Sequence, residues 1–270
     1  MSKITYSEYT NKDINDLVRL WCDVFGDKES FVRKFFISLP NMGSCVCAKD
    51  GDKIVAEACA ITGFELVKAG STLNRVCGYV YGVAVDENYR SMGIGKEISK
   101  RAYDMCYERE ASIVWTLPAE DSLYDYYRAI LPYSFSLGRR RLETTARKTE
   151  MTMKLTATEY MMFRESMLTG RSFLRPSYFT MDTYRMFLEE YGGGLFATES
   201  GIVAAMNDDG ICVIPEIICA NDQDAERSAS AVAFEMGLSK CVYYLPGSEE
   251  RFIISDKELP DDAVWSITFE

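Results

Sequence analysis

The order of elements in this chain is decided by one short stretch, Tyr89-Arg90-Ser91-Met92-Gly93-Ile94-Gly95-Lys96. An apolar run at residues 79–85 precedes it and an amphipathic run at 94–108 follows it, which predicts a strand, a glycine-hinged turn and a helix. The first N–H groups of a helix lack intrahelical partners, and the helix dipole makes that end positive. Gly93 and Gly95 let the backbone approach an anion, and Arg90 and Lys96 add positive charge. The stretch therefore predicts a phosphate-binding turn.

Two common phosphate-binding patterns do not fit this stretch. A P-loop needs a glycine where this chain has Arg90, and a serine or threonine where it has Glu97. A dinucleotide-binding turn needs a small third residue at the position of Ile98. The pattern that remains is Arg-x-x-Gly-x-Gly-Lys after a strand. It resembles the acyl-CoA pyrophosphate loop of the GNAT N-acetyltransferase superfamily.

The elements predicted around this turn follow the order of that superfamily. Hydrophobic periodicity predicts β-α-α-β-β-β-α-β-α-β over about the first 148 residues, with the last strand at residues 133–145. The resemblance implies an α/β (α+β) protein with the GNAT acyl-CoA N-acyltransferase fold, in which helices flank a mixed central sheet. It also implies that residues 1–148 form a catalytic acetyltransferase domain.

The second half repeats the centre of this order but not the turn. Apolar patterns predict β-β-β-α-β between residues 195 and 245. The counterpart of the turn, residues 221–226, has no glycine pair, and its carboxylates together with Glu216 would repel a pyrophosphate. We interpret residues 149–270 as a degenerate GNAT-like domain without a CoA loop, with an unrelated α+β substrate domain as the alternative. This layout is similar to that of the enhanced-intracellular-survival type of tandem bacterial acetyltransferases.

Composition excludes several other classes of function. The 270 residues are 47% hydrophobic and carry a net charge of -11, which argues against nucleic acid or an anionic membrane as the main partner. The chain has no histidine, so Ser-His-Asp and Cys-His catalysis are excluded and no metal site is expected. Its nine cysteines include no Cys-x-x-Cys pair, and neither a long apolar segment nor an apolar leader is present. We expect the protein to be in a reducing cytoplasm. The sequence leaves open whether identical chains assemble into an oligomer.

The resemblance assigns the donor-binding residues. Backbone N–H groups of Ser91, Met92, Gly93, Ile94, Gly95 and Lys96 would hold the pyrophosphate of acetyl-CoA, with Arg90 beside them. The backbone of Val83, Ala84 and Val85 would pair with the pantetheine arm and the acetyl carbonyl. Gly82 lies within the same strand, where a glycine often marks a bulge or a close backbone approach.

The resemblance also places the general acid on the helix after the next strand. Tyr127 falls on the position from which the family protonates the leaving thiolate, and Tyr124 is the alternative one turn earlier. A tyrosine with an ordinary pKa near 10 is protonated at neutral pH and can donate. The chain has Leu131-Pro132-Tyr133 where the family usually has Gly-Phe or Gly-Tyr, so the register of this helix can slip by a residue.

No residue stands out as the base that deprotonates the acceptor. Glu57 and Glu120 lie on or beside predicted strands near the expected cleft. The terminal carboxylate of Glu270 is a candidate by analogy with tandem relatives, and a water relay is equally compatible.

These observations favour an acetyl-CoA-dependent N-acetyltransferase. It would move an acetyl group directly to a primary amine of a small molecule or of a lysine side chain. A non-catalytic acyl-CoA sensor or interaction module is the main alternative, and a longer acyl or an aminoacyl donor is another.

Overall fold

The computed structural model describes residues 3–269, and the chain forms two compact units. The first unit contains the residues up to Leu66 together with Asn74–Ser136 and Ile253–Leu259. The second contains Val67–Leu73, Leu137–Phe252 and the residues from Pro260 onward. Each unit thus combines segments that are distant in sequence, whereas the sequence predicts a single boundary, after residue 148.

The first unit is built on one mixed sheet with the strand order β1-β2-β3-β4-β5-β13. Its strands are β1 (Thr5–Glu8), β2 (Gly43–Asp50), β3 (Lys53–Val67), β4 (Arg75–Val85), β5 (Ile113–Thr116) and β13 (Glu250–Ser255). Neighbouring strands run antiparallel except β4 and β5, which are parallel. A mixed sheet of this kind agrees with the predicted fold class.

Helices cover the sheet of the first unit. They are α1 (Ile14–Phe25), α2 (Glu29–Ser38), α3 (Ile94–Glu108) and α4 (Asp121–Ile130), with short 3-10 turns at Leu39–Asn41 and Glu87–Tyr89. Ile98 and Ala102 of α3 are fully buried in one core cluster with Val80 and Val114 of the sheet. Trp21 of α1 contacts the ring of Tyr81 on β4. The amphipathic pattern of α3 therefore buries the predicted face and holds the helix directly after β4.

The strands of the second unit follow the order β6-β12-β11-β10-β9-β7. Its elements are β6 (Phe135–Thr145), β7 (Thr152–Lys154), α5 (Ala157–Met167), β8 (Phe173–Pro176), α6 (Tyr178–Glu190), β9 (Gly194–Thr198), β10 (Gly201–Asp208), β11 (Ile211–Cys219), α7 (Asp222–Glu235) and β12 (Lys240–Gly247). Only β11 and β12 are parallel among the paired strands of this sheet in residues 3–269. The predicted β-β-β-α-β order corresponds to β9, β10, β11, α7 and β12.

The partner of β6 differs from the predicted order. Residues 133–145 are predicted to close the first domain, yet β6 pairs with β12 from Gly138–Gly247 to Thr145–Lys240. The strand beside β5 is β13, through Ile254–Thr116 and Ser255–Trp115. An apolar pattern predicts that a segment is a strand. Which strand pairs with it in the sheet depends on segments that are distant in sequence. From Leu137 onward this strand therefore lies in the second unit, whereas the sequence pattern predicts it as the last strand of the first domain.

Glu216 is fully buried in the second unit instead of standing free near the degenerate loop. It accepts hydrogen bonds from the Tyr160 hydroxyl at 2.9 Å, the Ser266 hydroxyl at 2.6 Å and the Arg164 guanidinium at 3.0–3.1 Å. Because Arg164 is 1% exposed, both charges are shielded from water and satisfied by each other. Glu216 therefore does not add a free negative charge to the loop, contrary to the expectation from sequence.

Three features bear on the chemical environment of the chain. All nine cysteines are free thiols and seven are buried, and burial raises the pKa of Cys77 to about 12. Residues 3–269 contain no cluster of three or more metal-binding side chains. Over the same residues, no helix is both long and apolar enough to cross a membrane.

Candidate active site in the first unit

A gap opens in the sheet where β4 and β5 separate. The two parallel strands pair from Cys77–Ile113 to Tyr79–Trp115. One residue further, the Thr116 hydroxyl donates to the Val80 carbonyl at 2.8 Å. No further β4–β5 pairing occurs among the described residues, although β4 continues to Val85. The last part of β4 therefore keeps one edge of backbone N–H and C=O groups available to a ligand.

Gly82 turns β4 at this separation. Its φ is +60°, and the register with β3 shifts between the pairs Cys59–Tyr81 and Glu57–Ala84, which marks a bulge. A Cβ at Gly82 would lie 2.4 Å from the ring of Trp21. Only glycine satisfies both the left-handed backbone and the close ring, so the bulge is built into the sequence. Val83, Ala84 and Val85, the predicted pantetheine-binding segment, directly follow it.

The turn after β4 leaves the N-terminus of α3 open. Ser91 and Gly93 have φ values of +63° and +77°, and the first intrahelical bond runs from the Glu97 N–H to the Gly93 carbonyl at 3.1 Å. No side chain caps the helix, so the N–H groups of Ile94, Gly95 and Lys96 lack intrahelical acceptors. These are the groups that the sequence predicts for binding the pyrophosphate.

The charges around the turn are only partly free. The Arg90 Nε donates to the Val85 carbonyl at 3.2 Å, which ties the side chain to the end of β4. Glu97 lies in the first turn of α3, but Arg101 pairs with it at 2.8 Å. Lys96 is exposed. The ends of the turn therefore stay positive although an acidic residue is present.

Tyr126 lies closest to the open helix end among the tyrosines of α4. A Cβ at Gly95 would be 3.3 Å from the Tyr126 hydroxyl and 3.6 Å from Val85 Cγ2. Tyr126 is 38% exposed, and burial raises the pKa of its hydroxyl. Sequence reasoning did not select this residue. The uncertain register at Leu131-Pro132-Tyr133 was the only signal that pointed toward it.

Tyr127 and Tyr124 are packed into the core beside this position. Tyr127 is 8% exposed and Tyr124 is 4% exposed, and both belong to the cluster around α3 and the sheet. Burial, and to a smaller extent the neighbouring Tyr126, raise the pKa of Tyr127 above its ordinary value. The Tyr127 hydroxyl therefore stays protonated at physiological pH. Its ring contacts that of Tyr126, with centroids 5.4 Å apart.

The candidate bases occupy different environments. Glu57 is fully buried, and neither of its carboxyl oxygens has a hydrogen-bond partner. Burial raises the pKa of Glu57 well above its usual range, because the charged form would lie unsolvated in the interior. Glu120 is exposed at the start of α4 and accepts a hydrogen bond from the Ser122 hydroxyl at 2.7 Å. Glu270 lies outside the described residues.

Comparison of the sequence with protein families identifies the region that contains this site. The family described as Acetyltransferase (GNAT) domain matches residues 5–129. The first half of the chain is a GNAT acetyltransferase domain. The matched region contains β4, the turn, α3 and all three tyrosines of α4, and this family carries out acyl transfer. No curated protein matches the chain in sequence.

Solved structures show that the GNAT fold extends over nearly the whole chain. A GCN5-related N-acetyltransferase from Kribbella flavida is 17% identical with a TM-score of 0.65, over 94% of this chain and 71% of that one. A putative acetyltransferase from Pyrococcus horikoshii is 15% identical with a TM-score of 0.61, over 98% and 92%. Eis1 from Mycobacterium abscessus is 10% identical with a TM-score of 0.61, over 93% and 73%. At these identities the likeness establishes the fold.

Proposed function

We propose that the GNAT domain is an acetyl-CoA-dependent N-acetyltransferase that acts by direct transfer to a primary amine of a small molecule or a lysine side chain. One observation carries the proposal. The uncapped N-terminus of α3 follows, after one short loop, a strand whose parallel neighbour has separated from it. The first feature suits a pyrophosphate and the second suits an extended amide-containing arm, and acyl-CoA contains both in that order.

Donor binding would use mainly the backbone. The N–H groups of Ile94, Gly95 and Lys96 point out of the first turn of α3, where two phosphates can accept from them. The segment Val83–Val85 would hydrogen-bond the pantetheine amides and hold the thioester at the bulge. Arg90 and Lys96 add positive charge, and its attraction for the phosphates is strongest at low ionic strength.

The transfer step would need an amine without its proton. The nitrogen lone pair attacks the thioester carbonyl carbon, a C–N bond forms, and the C–S bond breaks as the tetrahedral intermediate collapses. The attacking nitrogen loses its proton to water or to a carboxylate, and the CoA thiolate gains one from a tyrosine hydroxyl. We assign the donor role to Tyr127, whose hydroxyl is protonated, with Tyr126 and Tyr124 as neighbouring candidates.

We place this reaction in the cytoplasm, because nine free thiols suit a reducing compartment. We also propose that the second unit does not bind CoA. Its α7 begins with Asp222 and Asp224 in the first turn, and the Asn221 side chain already accepts from the Asp224 N–H at 3.0 Å. A helix end that is capped and acidic lacks the donors and the field that a pyrophosphate needs.

Donor binding is tested by comparing two glycine variants of equal backbone strain. Gly93 and Gly26 both have φ +77° with open space at the Cβ position, so Gly93→Ala and Gly26→Ala should each cost about 1 kcal/mol of stability. Only Gly93→Ala should weaken acetyl-CoA binding, by roughly tenfold or more, because it moves the N–H groups of the turn. Isothermal titration with acetyl-CoA measures this. Equal affinities for the two variants, or no binding by the wild type, would refute the proposed donor site.

The acid role is tested by two adjacent hydroxyl deletions. Tyr127→Phe is expected to lower kcat about a hundredfold while the dissociation constant of acetyl-CoA changes little. Tyr126→Phe is the matched control, since it removes the neighbouring hydroxyl beside Gly95. A larger loss of kcat in Tyr126→Phe than in Tyr127→Phe would assign the general acid to Tyr126 instead. Acetyl-CoA binding without turnover on a broad amine panel would support the sensor alternative instead.

A further inference from the structure

A cavity of about 290 Å³ lies within the second unit, where β11 and β12 separate. These parallel strands pair from Ile211–Lys240 to Ile214–Tyr243. No later β11–β12 pair follows among residues 3–269, although both strands continue. Each strand is then held by its other neighbour, β11 by β10 and β12 by β6. The cavity is therefore an opening in the sheet, and its volume is at the small end of ligand pockets.

A proline on each strand keeps the opening from closing. If the register continued, Pro215 of β11 would lie opposite Tyr244, and Pro246 of β12 would lie opposite Ile217. Proline has no N–H, so neither residue can donate across the gap. Pro215 also lies at a bulge in the pairing of β11 with β10. The sequences of both strands therefore specify the opening.

Past Pro215, β11 presents one edge of its backbone to the cavity. Its other edge pairs with β10 from Glu216–Ala204 to Cys219–Gly201. Strand residues direct their N–H and C=O groups alternately to the two sides, so alternate members of residues 216–219 direct them into the gap. No turn or loop within residues 3–269 hydrogen-bonds to this backbone segment. A row of such donors and acceptors is what an extended peptide pairs with when it adds to a sheet.

The opposite side of the cavity is mainly an apolar wall. Pro246 of β12 has no N–H, and its carbonyl already accepts a hydrogen bond from Arg140 Nε at 3.3 Å. The apolar side chains that line the cavity and are nearly fully buried are Ile217, Leu245, Phe252 and Trp265. A ligand would therefore hydrogen-bond along β11 and place apolar groups against this wall.

Two arginines of β6 line the cavity, and both already have acidic neighbours. Arg140 donates to both carboxylate oxygens of Asp222, at 3.0 and 3.2 Å. Arg139 Nε lies 3.7 Å from a carboxylate oxygen of Glu250, and its guanidinium packs on aromatic rings of the lining. Neither arginine therefore provides an uncompensated positive charge.

The exposed charges of the lining also balance one another. Arg171 and Asp261 are exposed and have opposite signs. Exposed charges of opposite sign favour neither an anion nor a cation strongly, because each is screened by water. The lining as a whole suits an uncharged ligand with amide groups and apolar substituents.

We propose that this cavity binds a short, uncharged peptide with apolar side chains, held in extended form along the open edge of β11. The peptide backbone would pair with alternate members of residues 216–219, and its side chains would lie against the apolar wall. This site is separate from the acyl-CoA turn and does not depend on acetyl transfer by the first unit.

The test is titration calorimetry on the full chain with N-acetyl-valyl-valinamide and two ester analogues. In each analogue an oxygen replaces a different one of the two internal N–H groups, so shape and apolar surface are kept while one donor is lost. We expect saturable binding of the amide and about fivefold weaker binding of at least one ester. Hydrogen exchange locates the site, because the bound amide should slow exchange at residues 216–219 and not at residues 83–85 of the first unit.

Pro215→Val tests the opening itself. Valine restores an N–H and favours strand pairing, so β11 and β12 should pair further and the amide should bind roughly tenfold more weakly. Pro260→Val is the matched control, because Pro260 is half-buried in the same unit and does not line the cavity. It should change the affinity less than about twofold.

The ester and exchange comparisons use the wild type, so they decide the proposal even if Pro215→Val does not fold. Four results would each overturn it. They are no saturable binding of the amide, equal affinities for all three probes, protection at residues 83–85 in place of 216–219, or equal affinities of the two folded proline variants.

Discussion

Glu57 places a carboxyl group in the interior of the first unit with no hydrogen-bond partner to receive it. It lies on β3 opposite Cys47 on one side and Ala84 on the other, next to the bulge of β4. Burying an unpaired polar group is unfavourable, and ionising it there is more so, which is why burial raises its pKa well above the usual range. Because a buried, unpaired carboxyl group lowers the stability of the fold, we test whether Glu57 has a chemical role.

Glu57→Gln should change the pH dependence of stability in a defined direction. The pKa of Glu57 is higher in the folded chain than in the unfolded chain. The contribution of its protonation to the free energy of unfolding is therefore complete below the unfolded pKa, and it is lost as pH rises toward the folded pKa. Each pH unit in that window costs about 1.4 kcal/mol in the wild type and nothing in the amide variant. In urea unfolding, the stability of Glu57→Gln relative to the wild type should therefore be greater at pH 8 than at pH 5.

The control for this measurement is Glu120→Gln, which alters an exposed carboxylate. It should change the free energy of unfolding by the same amount at pH 5 and at pH 8. A parallel pH dependence in Glu57→Gln and wild type would show that Glu57 is ionised in the folded chain. Turnover of the same variant separates the roles: an unchanged kcat would remove Glu57 from the candidate bases, and leave Glu120, Glu270 and a water relay.

At the scale of elements, each unit opens its sheet between one pair of parallel strands by a different residue. In the first unit Gly82 bulges β4, and in the second Pro215 ends the ladder of β11. Glycine changes the direction of a strand and leaves its donors available, whereas proline removes a donor. The first opening is followed by an open helix end and the second by a capped one, so the two gaps suit different ligands.

The bulge of β4 can be tested with glycine variants that differ only in their surroundings. Gly82 and Gly51 have φ values of +60° and +62°, but a Cβ meets Trp21 at 2.4 Å in the first and nothing within 4 Å in the second. Gly51→Ala should cost about 1 kcal/mol, from backbone strain alone. Gly82→Ala should cost about 1–3 kcal/mol more, because the ring must shift in a packed core. Equal costs in urea unfolding would contradict the proposed packing role of Trp21.

At the scale of the whole molecule, the first unit needs a segment from near the end of the chain. Asp256 follows β13 and is 7% exposed. Its carboxylate accepts hydrogen bonds from the hydroxyls of Tyr103 and Tyr107 on α3 and, at 2.8 Å, from the Val114 N–H on β5. These bonds fix the added strand to α3, the helix that begins at the predicted phosphate-binding turn. The unit is therefore completed only after most of the chain has been made.

Asp256→Asn should weaken the first unit by roughly 1–3 kcal/mol, because a charged acceptor of several donors is replaced by a neutral amide. Hydrogen exchange of the β4 and β5 amides measures this locally, and Asp262→Asn, at an exposed aspartate, should leave the same amides unchanged. A fragment of residues 1–148 lacks β13 and should fold poorly. Native-like exchange protection in that fragment would show that the added strand is dispensable.

The sequence by itself determined the local features of this protein. The order of elements, the glycine turn after β4 and the absence of histidine can all be read from short stretches, because apolar periodicity and backbone freedom are properties of neighbouring residues. Three strands, β7, β8 and β13, were not predicted from the sequence.

The tertiary structure decided what depends on distant residues. It paired β13 instead of β6 with β5, buried Glu57 and Glu216, and brought Tyr126 beside Gly95. Strand partners and burial follow from contacts between segments far apart in the chain, which a local pattern does not contain. The turn proposed for acyl-CoA could therefore be predicted from eight residues, whereas the environment of the candidate acid and bases exists only once the chain has folded.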